Sequence, residues 1–176
     1  MPGRPIVLFP DPVLLRPTRE VEQIDEEIRE LVSDMVESLR LAPGIGLAAN
    51  QVGVDLRLCL VDLSAGENPE EMHVLINPRL EVAGDLEVGE EGCLSFPDVL
   101  VDVPRNTEAR VEALDLDGNS RVIEAEGLLA RVIQHECEHL DGQVFLRHLS
   151  PLKRELIKKK IRKRIKAGDW AESGTP

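Results

Sequence analysis

Apolar positions recur at helical spacing between residues 24 and 39. They are Ile24, Ile28, Leu31, Met35 and Leu39, and the positions between them are mostly acidic or polar. Spacings of three and four residues place these side chains on one face, so the pattern predicts an amphipathic helix that ends before Pro43. The next segment, GIGLAANQVG, is rich in small residues and is predicted to be a loop.

The middle of the chain alternates short apolar segments with turn residues. The strand candidates are LRLCLVDL (56–63), VLINP (74–78), RLEVAG (79–84), VLVDVP (99–104), TEARVEALDL (107–116) and RVIEAE (121–126). The first candidate would bury Cys59, which is therefore predicted to be a packing residue. Short strands joined by turns such as DGN indicate an antiparallel sheet.

Helical spacing returns after Gly127, and two helices are predicted. The apolar residues of the first are Leu128, Leu129, Val132, Ile133 and Leu140, and Gly142 is its expected C-terminal cap. The second runs from Pro151 to about Ala167 and carries a stripe formed by Leu152, Leu156, Ile161 and Ile165. A helix, several strands and two further helices predict an α+β fold in a single compact domain.

Charge is distributed unevenly along the 176 residues, whose net charge is -12. Residues 1–151 hold 12 basic and 30 acidic residues, whereas residues 152–176 hold 9 and 3. An acidic body with only four aromatic residues disfavours sequence-specific nucleic-acid binding. Three widely spaced cysteines, without a signal-peptide pattern or an 18-residue apolar run, lead us to expect reduced thiols and a cytoplasmic protein that does not contact membranes.

The stretch QHECEHLDG contains the pattern HExxH in His135, Glu136 and His139. Residues four apart on a helix project together, so the two imidazoles can bind one metal ion while Glu136 reaches a water on it. A catalytic site of this type needs a third protein ligand. Isolated HExxH also arises by chance, with its residues serving only as ordinary polar side chains.

The third ligand is not found downstream, where the common HExxH proteases have theirs. Phe145 stands where metzincins have a histidine, and KKKIRKR occupies the region where thermolysin-like enzymes have a glutamate. His148 and Glu155 are weak candidates. Upstream, Cys93 in EEGCLSFP would complete a Cys-His-His set suited to a borderline-soft divalent ion, although a lone cysteine is more often a small buried apolar residue.

Three segments together resemble the signature motifs of one family. GIGLAANQ (44–51), EGCLS (91–95) and QHECEH (134–139) are similar, in order and separation, to the motifs of peptide deformylases. The resemblance extends from FPDPVLLRP near the start, through INP (76–78), to LSPLKR (149–154). It implies a compact α+β domain of short antiparallel strands around a central HExxH helix, with N-terminal and C-terminal helices.

The resemblance also implies an activity. Peptide deformylases are metal-dependent hydrolases that remove the formyl group from the N-terminal formylmethionine of nascent proteins and release formate. By this resemblance residues 1–150 are the catalytic metallohydrolase body, and residues 151–176 are a basic helix and short tail of the same domain. The expected cofactor is one divalent ion, Fe²⁺ first, with Zn²⁺, Ni²⁺ or Co²⁺ as alternatives.

Site roles follow from the same resemblance. Cys93, His135 and His139 are the expected metal ligands, and Glu136 is the expected acid/base. The Gln51 amide and the Leu94 backbone N–H are the expected oxyanion donors. The residues expected to bind substrate, including an apolar pocket for the methionine side chain, are Gly44, Ile45, Gly46, Glu91, Gly92, Leu128 and Val132.

The chain departs from the family pattern at two positions. Glu138 stands where aspartate is usual, which keeps the charge on a longer arm. Leu100 stands where many members have an arginine, which alters contacts to substrate residues beyond the methionine. Separately, the basic C-terminal helix leads to the hypothesis of ribosome docking through Lys159, Arg162, Lys163 and Lys166, against the simpler interpretation of a solvated charged face.

Overall fold

The computed structural model describes residues 3–170, which form an antiparallel sheet and three α-helices. The helices are α1 (Glu26–Leu41), α2 (Gly127–Leu140) and α3 (Pro151–Ala167). The strands are β1 (Gly46–Ala48), β2 (Leu58–Val61), β3 (His73–Cys93), β4 (Phe96–Leu114) and β5 (Ser120–Glu126). The strands pair in sequence order, each antiparallel to the next. The predicted α+β class with α2 at its centre is therefore confirmed.

Two of the strands, β3 and β4, are longer than predicted. Segments 74–78 and 79–84 belong to one strand, β3, which continues through GEEGC. The interruption that separated them in the sequence is an irregularity near Asn77, where the pairing register shifts and the residue has a φ of 52°. The Asn77 amide bonds both the backbone N–H and the C=O of Val21, at 2.8 and 2.9 Å. A bulge interrupts the alternation of side chains but does not end the hydrogen-bonded pairing of the strand. In the sequence, the two halves of β3 therefore resemble separate strands.

One face of the sheet is covered by α2. Cys59 on β2 and Cys137 on α2 are both buried with free thiols, within a cluster that includes Ile133 and Leu140. The prediction that Cys59 is a packing residue is confirmed. This cluster holds one side of α2 against the sheet, so the opposite side of the helix faces the β3–β4 turn.

The four aromatic residues of the chain share a single cluster. Phe96 lies 4.8 Å from both Phe9 and Phe145, measured between ring centroids. Phe145 contacts the His135 ring edge-on at 5.8 Å. Trp170 joins the cluster from the chain beyond α3 and donates its indole N–H to the Phe9 carbonyl at 2.7 Å. The aromatic cluster thus links α3 to the HExxH helix.

Only part of the apolar stripe predicted on α3 packs against the body. Ile161 is buried and Ile157 packs beside it, whereas Leu152, Leu156 and Ile165 are exposed. Of the stripe from Leu152 to Ile165, only Ile161 therefore packs on the body. Among the described residues, no helix combines the length and apolar character that a bilayer crossing requires.

The end of α2 depends on Gly142, as predicted from its position. Its N–H donates to the His139 carbonyl at 3.0 Å and its φ is 73°. A Cβ here would overlap the Arg16 backbone and lie 2.6 Å from the Pro17 nitrogen. The glycine is needed both for its left-handed conformation and for this close approach.

We expect Gly142→Ala to lower the free energy of unfolding by at least about 2 kcal/mol, because conformational strain and backbone overlap add together. Gly118→Ala is the matched control, since Gly118 has a φ of 79° but no atom within 4 Å of an added Cβ. It should cost only about 1 kcal/mol. Urea denaturation of both variants measures the difference, and equal losses would contradict the packing argument.

Candidate metal centre

Three potential metal ligands converge at one point. The Cys93 sulfur lies 3.3 Å from His139 Nε2, and the two Nε2 atoms of His135 and His139 are 3.2 Å apart. All three donor atoms lie within 4.8 Å of one another. A tetrahedral ion with metal–nitrogen bonds near 2.1 Å holds two nitrogen ligands about 3.4 Å apart, so the donors fit one divalent ion.

Local structure explains how the donors meet. His135 and His139 are one turn apart on α2, and both are buried. Cys93 is the last residue of β3 and pairs with Phe96 across the two-residue turn Leu94–Ser95. The Ser95 carbonyl accepts the Phe9 N–H at 3.0 Å, which ties this turn to the N-terminal segment. A tight hairpin therefore places the Cys93 thiol beside α2.

Glu136 is buried and has one free carboxylate oxygen. Its Oε2 atom has no hydrogen-bond partner among the described residues. A Cβ at Gly46 would overlap Glu136 Oε1, so only glycine there leaves room for the carboxylate. Burial raises the pKa of Glu136 to about 7. A carboxyl group with such a pKa exchanges protons readily near neutral pH.

Glu91 orients one of the two histidines. Its Oε1 atom lies 2.8 Å from His135 Nδ1. An N–H at Nδ1 that donates to this carboxylate leaves the lone pair on Nε2, the atom that faces Cys93 and His139. Burial acts to raise the pKa of Glu91, but hydrogen bonds from Arg105 and His135 outweigh it, and the pKa is lowered. The predicted substrate contact of Glu91 stays a prediction, and the structure adds that its carboxylate bonds the His135 ring.

Two arginines that the sequence analysis did not select complete this network. Arg105 donates to both Glu91 oxygens at 2.9 Å, and Arg131 donates to Glu91 Oε2 at 2.7 Å. Arg105 also meets Glu138 Oε1 at 2.7 Å. The longer Glu138 side chain thus keeps an ion pair with Arg105. His148 Nε2 lies 2.7 Å from the same Glu138 oxygen.

Signals for both arginines exist in the sequence. Val101, Val103 and Arg105 alternate on one face of β4, but the predicted strand stopped at Pro104 and excluded the arginine. Arg131 precedes His135 by one helical turn and so shares its face. A buried charge requires a partner, so both residues are candidates for a buried ion pair, but the sequence alone does not show Glu91 as that partner.

Gln51 is fixed by hydrogen bonds on both sides of its amide. Its oxygen accepts the Ala48 N–H at 2.9 Å, while Nε2 lies 3.2 Å from Ser95 Oγ and 3.5 Å from the Cys93 sulfur. The amide oxygen therefore bonds nearby backbone and is not available to a substrate. The NH₂ group points toward the metal centre.

A cavity of about 720 Å³ opens in front of the centre. Its lining includes every predicted site residue except His139, which is buried behind it: Gly44, Ile45, Gly46, Gln51, Glu91, Gly92, Cys93, Leu94, Leu128, Val132, His135 and Glu136. Val132 is buried and Ile45 is partly buried. Leu128 is 55% exposed and lies at the mouth of the cavity.

An α+β fold that presents HExxH from its central helix, with a cysteine from a strand as the candidate third ligand, is the arrangement of a metallohydrolase. The family model for polypeptide deformylase matches residues 3–155. The chain belongs to this family. It is a metal-dependent hydrolase that removes the N-terminal formyl group from formylated nascent peptides.

Individual relatives agree with this assignment. The chain is 48% identical to a peptide deformylase of Acidobacterium capsulatum over 167 residues, which cover 95% of this chain and 98% of that protein. A crystal structure of peptide deformylase from Legionella pneumophila superposes with a TM-score of 0.86 at 38% identity, covering 94% and 98% of the two chains. The enzyme from Synechococcus elongatus in complex with actinonin gives 0.82 at 41%, covering 91% and 86%.

We expect Arg105→Ala to lower the free energy of unfolding by about 3–5 kcal/mol, because it leaves the Glu91 and Glu138 carboxylates without their shared cation. The matched control is Arg19→Ala, since the Arg19 side chain is 76% exposed and pairs with Asp55 at 3.1 Å. Removing that surface pair should cost less than about 1 kcal/mol. Chemical denaturation compares the two, and a small loss for Arg105→Ala would show that the buried network adds little stability.

Proposed function

We propose that Cys93, His135 and His139 hold a single divalent ion and that deformylation takes place in the cavity in front of them. The observation that carries this proposal is the convergence of the three donor atoms beside the free oxygen of Glu136. The bound ion supplies Lewis-acid chemistry, which polarises a carbonyl group and makes water more acidic. Fe²⁺ is the proposed ion, with Zn²⁺, Ni²⁺ or Co²⁺ as substitutes, since Cys-His-His accepts each of them.

Glu136 is the proposed acid/base. Its free Oε2 atom takes a proton from the attacking water, and the same carboxyl group gives a proton to the departing amine. A pKa near 7 suits both transfers, because neither protonation state is strongly favoured at neutral pH. Glu91 keeps the His135 ring in place through its carboxylate, and it remains a proposed substrate contact because it lines the cavity.

Gln51 and Leu94 are the proposed donors to the oxyanion. The Gln51 NH₂ is already held near Cys93 by the bond from Ala48 to the amide oxygen, so it does not have to reorganise during the reaction. The Leu94 N–H belongs to the hairpin turn that directly follows Cys93. Each such donor contributes roughly 3 kcal/mol in enzymes where it has been removed.

The formylated peptide is proposed to lie along Gly44, Gly46 and Gly92. The strand β1 is an edge of the sheet, and the free edge of an extended segment can pair with a peptide backbone. Ile45 and Val132 form the proposed floor of the methionine pocket, and Leu128 bounds it at the mouth. Formylmethionyl chains are made during translation, so we place the enzyme in the cytoplasm.

Residues 1–150 are proposed as the catalytic unit, with the basic helix of residues 151–176 as a part of the same domain. Ile161 and Trp170 pack in the aromatic cluster together with Phe96, which supports a shared core. Residues 171–176 of the proposed tail lie outside the described part of the chain.

Ribosome docking through α3 is a further part of the proposal. Lys159, Arg162, Lys163 and Lys166 are all exposed, and none has an ion pair with another described residue. Lysine and arginine side chains on one helix bind a phosphate backbone without reading its sequence. The exposed Leu152 and Leu156 add an apolar surface beside them.

We expect Glu136→Gln to retain one equivalent of metal and to lose at least about 100-fold in kcat, because proton transfer is lost while the ligands stay. Cys93→Ala should lose the metal instead. Metal analysis after anaerobic purification and formate release from formyl-Met-Ala-Ser measure the two effects. Full metal occupancy in Cys93→Ala would contradict the ligand assignment, and cleavage of internal peptide bonds without formate release would contradict the activity.

We expect replacement of Lys159, Arg162, Lys163 and Lys166 by glutamate to abolish cosedimentation with ribosomes, because the helix would repel phosphates. Turnover of free formyl-Met-Ala-Ser should be unchanged, since these side chains face solvent.

The matched control exchanges lysine and arginine at the same four positions and keeps the charge. It should sediment like the original protein and dissociate as salt rises, with close to one unit of log-log slope for each neutralised phosphate. Cosedimentation of the glutamate variant at the original level would refute docking through this face.

A further inference from the structure

Three leucines at the mouth of the cavity are unusually exposed. Leu41, Leu100 and Leu128 are 50%, 63% and 55% exposed, and all three line the cavity. They come from the end of α1, from β4 and from the first turn of α2. We call these three residues the apolar rim. Large apolar side chains around one opening mark a surface that is covered when a ligand binds.

The charged groups at the same mouth are mostly acidic. Glu90 and Asp98 line it with exposed side chains, and Asp98 lies 3.4 Å from Arg164. Arg131 is the cation of the lining, but its guanidinium already donates to Glu91, to the Val103 carbonyl and to the Glu87 carbonyl at 2.7, 2.9 and 2.7 Å. Within the described residues, the lining therefore offers no uncommitted cation to an acidic peptide.

Leu100 is a rim residue that lies next to the proposed peptide path. A Cβ on Gly92 would lie 3.2 Å from Leu100 Cδ2, and Gly92 immediately precedes the ligand Cys93. An extended peptide advances about 3.3–3.6 Å per residue. When the formyl group reaches the metal centre, the residues after the methionine therefore pass beside Leu100.

We propose that the apolar rim, and Leu100 above all, makes this enzyme select formylated chains with apolar residues directly after the methionine and discriminate against acidic ones. The proposal rests on the substrate path given above. An apolar side chain in the second or third position removes rim surface from water. An aspartate there loses hydration without gaining a cation and also meets Glu90 and Asp98, which carry the same charge.

The test compares kcat/KM for amide-capped formyl-Met-Leu-Ala and formyl-Met-Ala-Leu with their Leu→Asp counterparts. The leucine peptides should be preferred by about tenfold or more in at least one of the two positions. Leu100→Arg should raise kcat/KM for the matching aspartate peptide and reduce this preference to about threefold or less, because the guanidinium supplies the missing cation.

Leu86→Arg is the matched control. Leu86 is 69% exposed on the neighbouring strand β3 but does not line the cavity, so the same charge added there should leave the preference unchanged. A preference below twofold in the original enzyme, or an equal shift in both arginine variants, would overturn the role of the rim. Absence of formate release from every peptide would overturn the proposed site itself and this inference with it.

Discussion

The structure depends on one buried carboxylate, that of Glu91. It accepts hydrogen bonds from Arg105, Arg131 and His135, so a single side chain on β3 binds together β4 and α2. Burying an ion is costly in free energy, and the cost is offset only when every lone pair finds a donor. The lowered pKa of Glu91 reflects this, because the bonds to Arg105 and His135 outweigh the effect of burial.

Two glutamates near the centre show how environment sets their roles. Glu91 has several donors and stays ionised, whereas Glu136 has a free oxygen and a pKa raised to about 7 by burial. Their side chains are chemically identical. The pKa values differ because Arg105 and His135 donate hydrogen bonds to Glu91, whereas Glu136 is buried and its Oε2 atom has no hydrogen-bond partner among the described residues. Separated pKa values of this kind divide a site into a part that holds structure and a part that transfers protons.

The chain has only four aromatic residues, and all of them pack in the same place. One cluster contains Phe9, Phe96, Phe145 and Trp170. Phe96 belongs to the hairpin that carries Cys93. Aromatic side chains bury a large area each, so four of them suffice to fix the N-terminal segment, the hairpin and the end of α3 against one another. Apolar contact therefore joins the basic helix to the acidic body, in addition to the ion pair between Arg164 and Asp98.

The sequence alone determined those features that depend on local geometry. His135 and His139 meet because they are four residues apart on a helix, and Gly142 ends that helix because only glycine adopts its backbone conformation without strain. The family motifs added Cys93, whose approach to His139, 46 positions further along the chain, no spacing rule describes.

Tertiary structure decided the remainder. Arg105 and Arg131 became parts of the site only when β4 and α2 were placed around Glu91. Only one residue of the predicted apolar stripe of α3, Ile161, packs on the body, together with Ile157. Hydrophobic periodicity shows that a helix has an apolar face, but neighbouring elements decide which part of it is covered. A buried charge is likewise visible in a sequence only once its partner, distant along the chain, is known.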